Sequence, residues 1–187
     1  SPATMLVDVT TNFGEFGGKE YIPVNYDEKE HGPVSIRKAL QGSLNIPAVK
    51  TLLLAGIEDS IETAEALGIT TLKDRSRFGP SLVLGGAEVK LLEHTAAYGV
   101  FATGGYRIEP YIVARIVDDR GNTLAQAQPV MAGTESLRVI DARNAFLMDS
   151  MMHDVVRFGT AARAMSLGRR DLAGKTGTTN DYIDAWF

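Results

Sequence analysis

Apolar residues recur at helical spacing along much of the chain, and most of these runs begin at a capping residue or proline and end at glycine. Such residues favour the first turn and the end of a helix, respectively. The patterns predict five helices. The first is capped by Ser35, and the second has Pro47 in its first turn and Gly56 at its end. The third is capped by Asp59 or Ser60 and ends at Gly68, the fourth covers about residues 89–103, and the fifth is capped by Asp141 and ends at Gly159. In the last two helices, the positions predicted to face the core are Leu92, Ala96, Val100, Phe146, Met151, Met152, Val155 and Val156.

Strand patterns are fewer. The run TMLVDV near the start is strand-like, and residues 110–128 predict a β-hairpin with its turn at Asp119–Asn122. The last segment, DLAGKTGTTNDYIDAWF, predicts two short strands joined by a turn, with Trp186 in the core of the sheet. Residues 11–33 are rich in Gly, Asn, Pro and charge, so we expect an extended surface excursion whose acidic cluster, residues 27–30, is solvated. Runs of helices with strands near the end predict an α+β domain with a helical lobe and an antiparallel sheet.

Composition narrows the possible functions. The 187 residues carry 19 basic and 23 acidic side chains, so the net charge of −4 does not suggest a surface for nucleic acid or anionic membrane. Cysteine is absent, which excludes disulfides and thiolate nucleophiles. His31, His94 and His153 lack the spacing of metal ligands, and no cofactor is expected. The longest apolar stretch, residues 52–55, is far shorter than the roughly 20 residues of a membrane helix, so any anchor must lie outside this chain.

The stretch AGKTGTT allows two interpretations. A phosphate-binding loop needs four residues between its first glycine and Gly-Lys-Thr, but five separate Gly168 from Gly174, and no helix-forming sequence follows. The alternative is a strand, Lys175-Thr176-Gly177, at the wall of a cleft. There a ligand could lie against the backbone of Gly177, and Lys175, Thr176 and Thr178 could bind a carboxylate.

Two of the three motifs that mark penicillin-recognising serine enzymes occur together. These enzymes combine Ser-x-x-Lys, a Ser-x-Asn triplet and Lys-Thr-Gly. The segment GSLNIPAVK carries the triplet and AGKTGTTNDYIDAWF carries Lys-Thr-Gly. Together with SLVLGGAEVKLLEHTAAYGVFATGGYRIEP, RFGTAARA and YIPVNYDEKEHGPVSIRKALQGSLN, they resemble the transpeptidase domain of class A, bifunctional penicillin-binding proteins of the 1A type. Residues 1–187 are therefore expected to form part of one such domain, with its penicillin-binding-protein and serine β-lactamase-like fold.

The resemblance implies a D,D-transpeptidase that cross-links peptidoglycan stem peptides through a serine acyl-enzyme and is captured by β-lactams. It implies that Ser43 relays a proton, that Asn45 orients the substrate and lysine, and that Lys175 holds Ser43 and attracts the substrate carboxylate. Thr176 and Thr178 would complete that grip beside Gly177, and the Thr178 N–H would form half of the oxyanion hole. Ser43 and Lys175 are therefore expected within hydrogen-bond distance of each other. The parent protein would be anchored at the periplasmic face of the cytoplasmic membrane and would supply the rest of the domain.

Ser35 and Lys38 also match Ser-x-x-Lys. Eight residues of helix advance about 12 Å, which would separate Ser35 from Ser43 by too much for one active site. Gly42 and Pro47 bracket the triplet and predict a turn between two helices. We therefore expect Ser35 to be a helix cap, and the nucleophile to lie upstream of Ser1.

Three rival functions remain open at this stage. The same motifs support a D,D-carboxypeptidase or a β-lactamase when water replaces the acceptor amine. A non-catalytic peptide-binding or sensor domain could also keep this fold. A Ser-x-x-Lys motif upstream would favour an enzyme, and its absence would favour the sensor. Arg163, Arg169 and Arg170 are expected in a solvated loop, with contact to an acidic stem peptide as the alternative.

Overall fold

The computed structural model describes residues 1–127, 138–179 and 184–187. The α-helices in these ranges are α1 (Ile36–Gly42), α2 (Asn45–Ala55), α3 (Ile57–Ala66), α4 (Leu91–Ala102) and α5 (Ala142–Phe158). The strands are β1 (Met5–Asp8), β2 (Glu15–Phe16), β3 (Lys19–Glu20), β4 (Gly32–Ser35), β5 (Arg115–Val117), β6 (Thr123–Gln126), β7 (Gly177–Thr178) and β8 (Ala185–Trp186). Short 3-10 helices span Arg75–Arg77, Pro80–Leu84 and Ala162–Leu167.

Capping side chains set the starts of α1 and α5 as predicted. Ser35 is the N-cap of α1, and its hydroxyl accepts from Lys38 N at 3.3 Å. Asp141 caps α5 by accepting from Arg143 N at 2.8 Å. Each of these side chains satisfies a helix N–H that has no partner within the helix.

The predicted start of α3 was wrong. α3 begins at Ile57, directly after α2, so Asp59 and Ser60 lie in its first turn instead of capping it. Gly56 ends α2 and precedes α3 with φ of 92°, a conformation that glycine adopts without the penalty of a Cβ. Ser60 Oγ donates to Gly56 O at 2.7 Å, which is the bond of a residue inside a helix.

The buried faces of α4 and α5 differ in part from the prediction. α5 buries Met151, Met152, Val155 and Val156 as predicted. Phe146 is 69% exposed, because at 100° per residue it projects about 150° from the centre of that stripe, where Ala145 lies much closer. In α4, Val100 is buried as predicted and Ala96 is half-buried, but Leu92 is 59% exposed.

Two apolar clusters hold the helices together. The first joins α3 to α4 and the residues between them through Ile61, Ile69, Leu72 and Ala97. The second packs Val155, Val156 and Ala161 against partly buried neighbours that include Leu40 of α1. Arg37 of α1 also donates to Asp154 of α5 at 2.8 Å. The loop between α1 and α2 is therefore held against the end of α5, beside the segment that carries Lys175.

The described strands form four antiparallel pairs, β1–β4, β2–β3, β5–β6 and β7–β8. The predicted hairpin is confirmed as β5 and β6, although its last predicted residue, Gln128, lies outside the described residues. The two short strands at the end are confirmed as β7 and β8, and the turn between them, residues 180–183, also lies outside the described residues. Trp186 is half-buried, with its ring 5.3 Å from that of His94.

Candidate active site

Ser43 and Lys175, which are 132 residues apart in the chain, meet in the structure. Lys175 Nζ donates to Ser43 Oγ at 2.6 Å and to Thr176 O at 2.6 Å. The predicted contact between these two side chains is therefore confirmed. An ammonium in contact with a hydroxyl can stabilise that hydroxyl as a proton acceptor and can return a proton to it.

Ser43 holds an unusual backbone conformation for a residue with a Cβ. It follows α1 with φ of 56° and ψ of 44°, in the left-handed region. Ser43 N donates to Leu40 O at 3.1 Å and Leu44 N donates to Ala39 O at 2.9 Å, so the turn closes α1. The left-handed conformation costs a residue other than glycine about 1–2 kcal/mol. Serine at this strained position indicates a need for its hydroxyl, because glycine would fit the turn better.

The environment of Lys175 lowers its pKa toward neutral pH. Partial burial lowers the pKa of the Lys175 ammonium to about 8, from an ordinary value of 10.5. Burial has this effect because a medium less polar than water disfavours the charged form. Near neutral pH Lys175 is therefore mostly cationic, and it can attract a carboxylate.

β7 begins two residues after Lys175. The strand was predicted over Lys175, Thr176 and Gly177, but it starts at Gly177, so Lys175 and Thr176 precede it. Gly177 pairs with Trp186 and Thr178 pairs with Ala185 in β8. A Cβ added at Gly177 would meet no atom of the described residues within 4 Å, so a ligand could approach the backbone there. Thr178 is also exposed.

Thr160, which the sequence analysis missed as a site residue, contacts Thr176. Their hydroxyl oxygens lie 2.6 Å apart, and Thr160 N donates to Gln41 O at 3.3 Å. A Cβ at Gly159 would lie 2.2 Å from Gln41 O, so only glycine permits this approach. Thr160 therefore connects the segment that contains Lys175 and Thr176 to the end of α1. Its only signal in the sequence was the segment RFGTAARA.

Asn45 is the first residue of α2, one step beyond the turn that contains Ser43 and Leu44. Its backbone N donates to Asn25 Oδ1 at 2.9 Å, and its side-chain Nδ2 donates to Val24 O at 2.7 Å. The predicted turn between two helices is thus confirmed, and the triplet is held by a segment about 20 residues earlier.

Ser35 and Lys38 do not form the same kind of pair. Lys38 Nζ donates to Gln41 Oε1 at 2.9 Å, while the Ser35 hydroxyl accepts from the Lys38 backbone. This arrangement supports the prediction that Ser35 caps α1.

The other candidates from the sequence are three arginines. Arg163, Arg169 and Arg170 are exposed as expected, although Arg163 lies in the 3-10 helix Ala162–Leu167 and not in a loop. Arg169 pairs with Asp171. Within the described ranges, no group of three or more His, Cys, Asp or Glu side chains could hold a metal ion. Nor does any helix in those ranges have the length and apolar character required to cross a membrane.

Known proteins match nearly the whole chain. Residues 9–184 match the family described as the penicillin binding protein transpeptidase domain. The chain is 39% identical over 187 residues to penicillin-binding protein 1A of Neisseria lactamica, covering 99% of this chain and 23% of that protein. It is 42% identical over 170 residues to penicillin-binding protein 1A of Aquifex aeolicus, covering 91% of this chain and 22% of that protein. The chain therefore spans about a quarter of the length of these curated relatives.

Solved structures give the same result for the fold. Penicillin-binding protein 1A from Haemophilus influenzae matches with a TM-score of 0.88 and 31% identity, over 100% of this chain and 32% of that chain. A ceftriaxone acyl-enzyme complex of penicillin-binding protein A from M. tuberculosis matches with a TM-score of 0.75 over 97% of this chain and 44% of that chain. Because the sequence identity is only 17%, this match shows a similar fold and nothing more. The predicted α+β transpeptidase fold is confirmed by these matches.

Proposed function

Because the chain belongs to the penicillin-binding protein transpeptidase family, we propose that it forms part of a peptidoglycan D,D-transpeptidase. Its substrate would be the D-Ala-D-Ala end of a stem peptide, and β-lactams would be captured as imitations of that dipeptide. The contact of Lys175 Nζ with Ser43 Oγ at 2.6 Å carries this proposal. No cofactor takes part in the proposed reaction.

The reaction has two steps. A serine oxygen attacks the carbonyl carbon between the two D-alanines, an ester forms, the C–N bond breaks, and D-alanine leaves. An amine from a neighbouring strand then attacks the ester and restores the serine. In the first step the serine proton passes to the departing amine of D-alanine, and in the second a proton of the acceptor amine passes to the serine oxygen. Ser43 Oγ, beside Lys175, relays the proton in both steps. Lys175 also attracts the terminal carboxylate of the substrate.

The oxyanion and the carboxylate are assigned to β7 and the residue before it. The N–H of Thr178 would donate to the oxyanion, and Thr176 and Thr178 hydroxyls would bind the carboxylate beside Gly177. The open approach to Gly177 and the exposure of Thr178 support this role. Thr160 would hold the Thr176 hydroxyl in place for it. Asn45 would orient the substrate and the catalytic lysine.

We assign the nucleophile to a part of the protein outside residues 1–187. Ser35 is occupied as a helix cap, and Ser43 already has the relay position beside Lys175. The chain alone is therefore expected to be inactive. The complete enzyme would be held by an anchor outside this chain at the periplasmic face of the cytoplasmic membrane, and would also carry a glycosyltransferase activity.

The direct test is the variant Lys175→Ala in a protein that carries this chain within a complete transpeptidase domain. Its second-order rate of acylation by fluorescent penicillin should fall by about 100-fold or more, because both the relay and the carboxylate site lose their cation. Lys73→Ala is the matched control, since Lys73 is exposed and remote in sequence from both motifs. Equal rates for the two variants would contradict the proposal.

The same protein separates transpeptidase from hydrolase. Given a donor stem peptide and an amine acceptor, a transpeptidase forms the cross-linked dimer in preference to the hydrolysed peptide. A carboxypeptidase or β-lactamase would release mainly hydrolysed product. A non-catalytic sensor would form no acyl-enzyme in either assay.

A further inference from the structure

The group that caps α2 comes from another part of the chain. α2 begins at Asn45, and Leu44 before it supplies no side-chain cap. The carboxamide oxygen of Asn25 accepts from Asn45 N at 2.9 Å and from Ile46 N at 3.3 Å. The first N–H groups of a helix have no partner within the helix, so Asn25 serves as the missing cap.

The residue next to Asn25 holds the Asn45 side chain. Asn45 Nδ2 donates to Val24 O at 2.7 Å. Both the main chain and the side chain of Asn45 are therefore fixed by residues 24 and 25. Because Asn45 lies two residues after Ser43, the position of the Ser43 hydroxyl depends on where α2 begins.

A buried carboxylate fixes the orientation of Asn25. Asn25 is 2% exposed and Asp8 is 0% exposed. Asn25 Nδ2 lies 3.0 and 2.8 Å from the two Asp8 carboxylate oxygens and donates to Lys29 O at 2.7 Å. An ionised carboxylate only accepts hydrogen bonds, so the amide nitrogen must face Asp8 and the amide oxygen must face α2.

His31 holds the carboxylate from its other side. His31 N donates to Asp8 Oδ2 at 3.1 Å, and His31 Nδ1 lies 2.6 Å from the same oxygen. A buried polar group is costly unless its hydrogen bonds are satisfied, and these contacts supply several partners for Asp8. The side-chain amide of Asn25 therefore connects Asp8 of β1 to the start of α2, with its nitrogen toward Asp8 and its oxygen toward Asn45.

We propose that Asn25 is a positioning residue of the candidate active site, acting through Asn45 on the turn that presents Ser43 to Lys175. The inference rests on the proposed function, because it concerns the step in which Ser43 relays a proton. Removing the Asn25 side chain frees the start of α2 and displaces Ser43. β7, which follows Lys175 and Thr176 directly, keeps its own pairing with β8. The chemical step should therefore suffer more than the initial binding of ligand.

The test is Asn25→Ala in a protein that carries this chain within a complete transpeptidase domain. Stopped-flow acylation by fluorescent penicillin separates the noncovalent dissociation constant from the acylation rate constant k2. We expect k2 to fall about 10- to 100-fold, as a misplacement of roughly 1 Å can produce, and the dissociation constant to change by less than about threefold. A purely structural role would lower the melting temperature and leave k2 of the folded protein unchanged.

The control is Ile61→Val, which removes a methyl group from the buried cluster between α3 and α4. It should lower the melting temperature and keep k2 at the unsubstituted value. If Asn25→Ala does not fold, Asn25→Ser retains an acceptor of shorter reach and should give an intermediate loss of k2. A folded Asn25 variant with k2 within twofold of the unsubstituted protein would overturn the inference, as would an equal loss of k2 in Ile61→Val.

Failure of the proposed function itself gives a different result. In that case the unsubstituted protein forms no acyl-enzyme, and no k2 exists to compare. A normal k2 in the unsubstituted protein together with an unchanged k2 in Asn25→Ala leaves the proposed function intact and rejects only the positioning role.

Discussion

Raising the pH through 8 should switch off acylation by neutralising Lys175. Burial lowers the pKa of Lys175 to about 8, so about 90% of the side chain is cationic at pH 7 and about 10% at pH 9. If the cation supports the relay and binds the carboxylate, the second-order acylation rate should fall about tenfold over that interval. The measurement is the rate of acylation by fluorescent penicillin from pH 6.5 to 9.5, in a protein that carries this chain within a complete transpeptidase domain.

The titration of Lys175 should raise the free energy of unfolding as the pH rises, whereas it lowers the rate of acylation. The folded-state pKa of Lys175 lies below the ordinary value of 10.5, so between about pH 8 and 10.5 the unfolded chain binds a proton that the folded chain has released. Unfolding therefore becomes harder as the pH rises through that window. The contribution is at most about 3 kcal/mol, and less after solvent screening, because the side chain is only partly enclosed. A loss of acylation above pH 8 with no loss of melting temperature would separate chemistry from unfolding.

Lys175→Arg is the control that assigns the titration. Arginine stays cationic throughout the range, but its planar fork does not fit a site built for an ammonium, so the rate at pH 7 should fall. The decline centred near pH 8 should disappear in this variant. Its persistence would refute the assignment to Lys175, and so would an unsubstituted protein that acylates at one rate up to pH 9.5.

Three further outcomes follow from the geometry around α1. Ser43→Gly and Ser43→Ala should both lose acylation, but the Gly variant should be the more stable by about 0.5–1 kcal/mol. Glycine relieves the strain of the left-handed conformation, and this gain exceeds the entropy that glycine adds to the unfolded chain. Equal melting temperatures of the two variants would contradict the strain. Ser35→Ala should destabilise the domain by about 0.5–2 kcal/mol and leave the acylation rate of the folded protein intact, since Ser35 caps α1. Residues 1–187 alone, incubated with excess penicillin, should show no covalent adduct by intact mass; a stoichiometric adduct on Ser35 or Ser43 would show that the nucleophile lies within the chain.

The sequence predicted helix starts best where a capping side chain adjoins the helix. Ser35 and Asp141 satisfy N–H groups two or three residues away, and such local chemistry can be read directly from the sequence. The start of α3 was missed because the favoured capping residues Asp59 and Ser60 drew the prediction into the helix. The left-handed glycine at position 56 allows two helices to follow one another directly.

Burial was harder to predict than helix boundaries. Phe146 and Leu92 were assigned to the core because they are large and apolar and lie near helical spacing. The face that a helix buries depends on the elements packed against it. α5 contacts α1 and α4, which are distant in the sequence, and it buries Ala145 instead of Phe146. Of two large apolar residues on one helix, one can therefore be buried and the other exposed.

In the candidate site, too, burial was harder to predict than the meeting of the motifs. The motifs predicted that Ser43 and Lys175 meet, and this is confirmed. The composition of residues 11–33 predicted an extended surface excursion, but Asn25 within it is buried. Its burial depends on Asp8, 17 residues earlier, and on Asn45, 20 residues later. No local signal for this role was present in the sequence, because the second helix was predicted to begin near Pro47. Only the observed start at Asn45 leaves Leu44, which supplies no side-chain cap, before the helix. The N–H groups at that start therefore need an acceptor from elsewhere in the fold. Asn25 accepts from the first N–H groups of α2, directly after the turn that contains Ser43. Lys175 binds the Ser43 hydroxyl of that same turn.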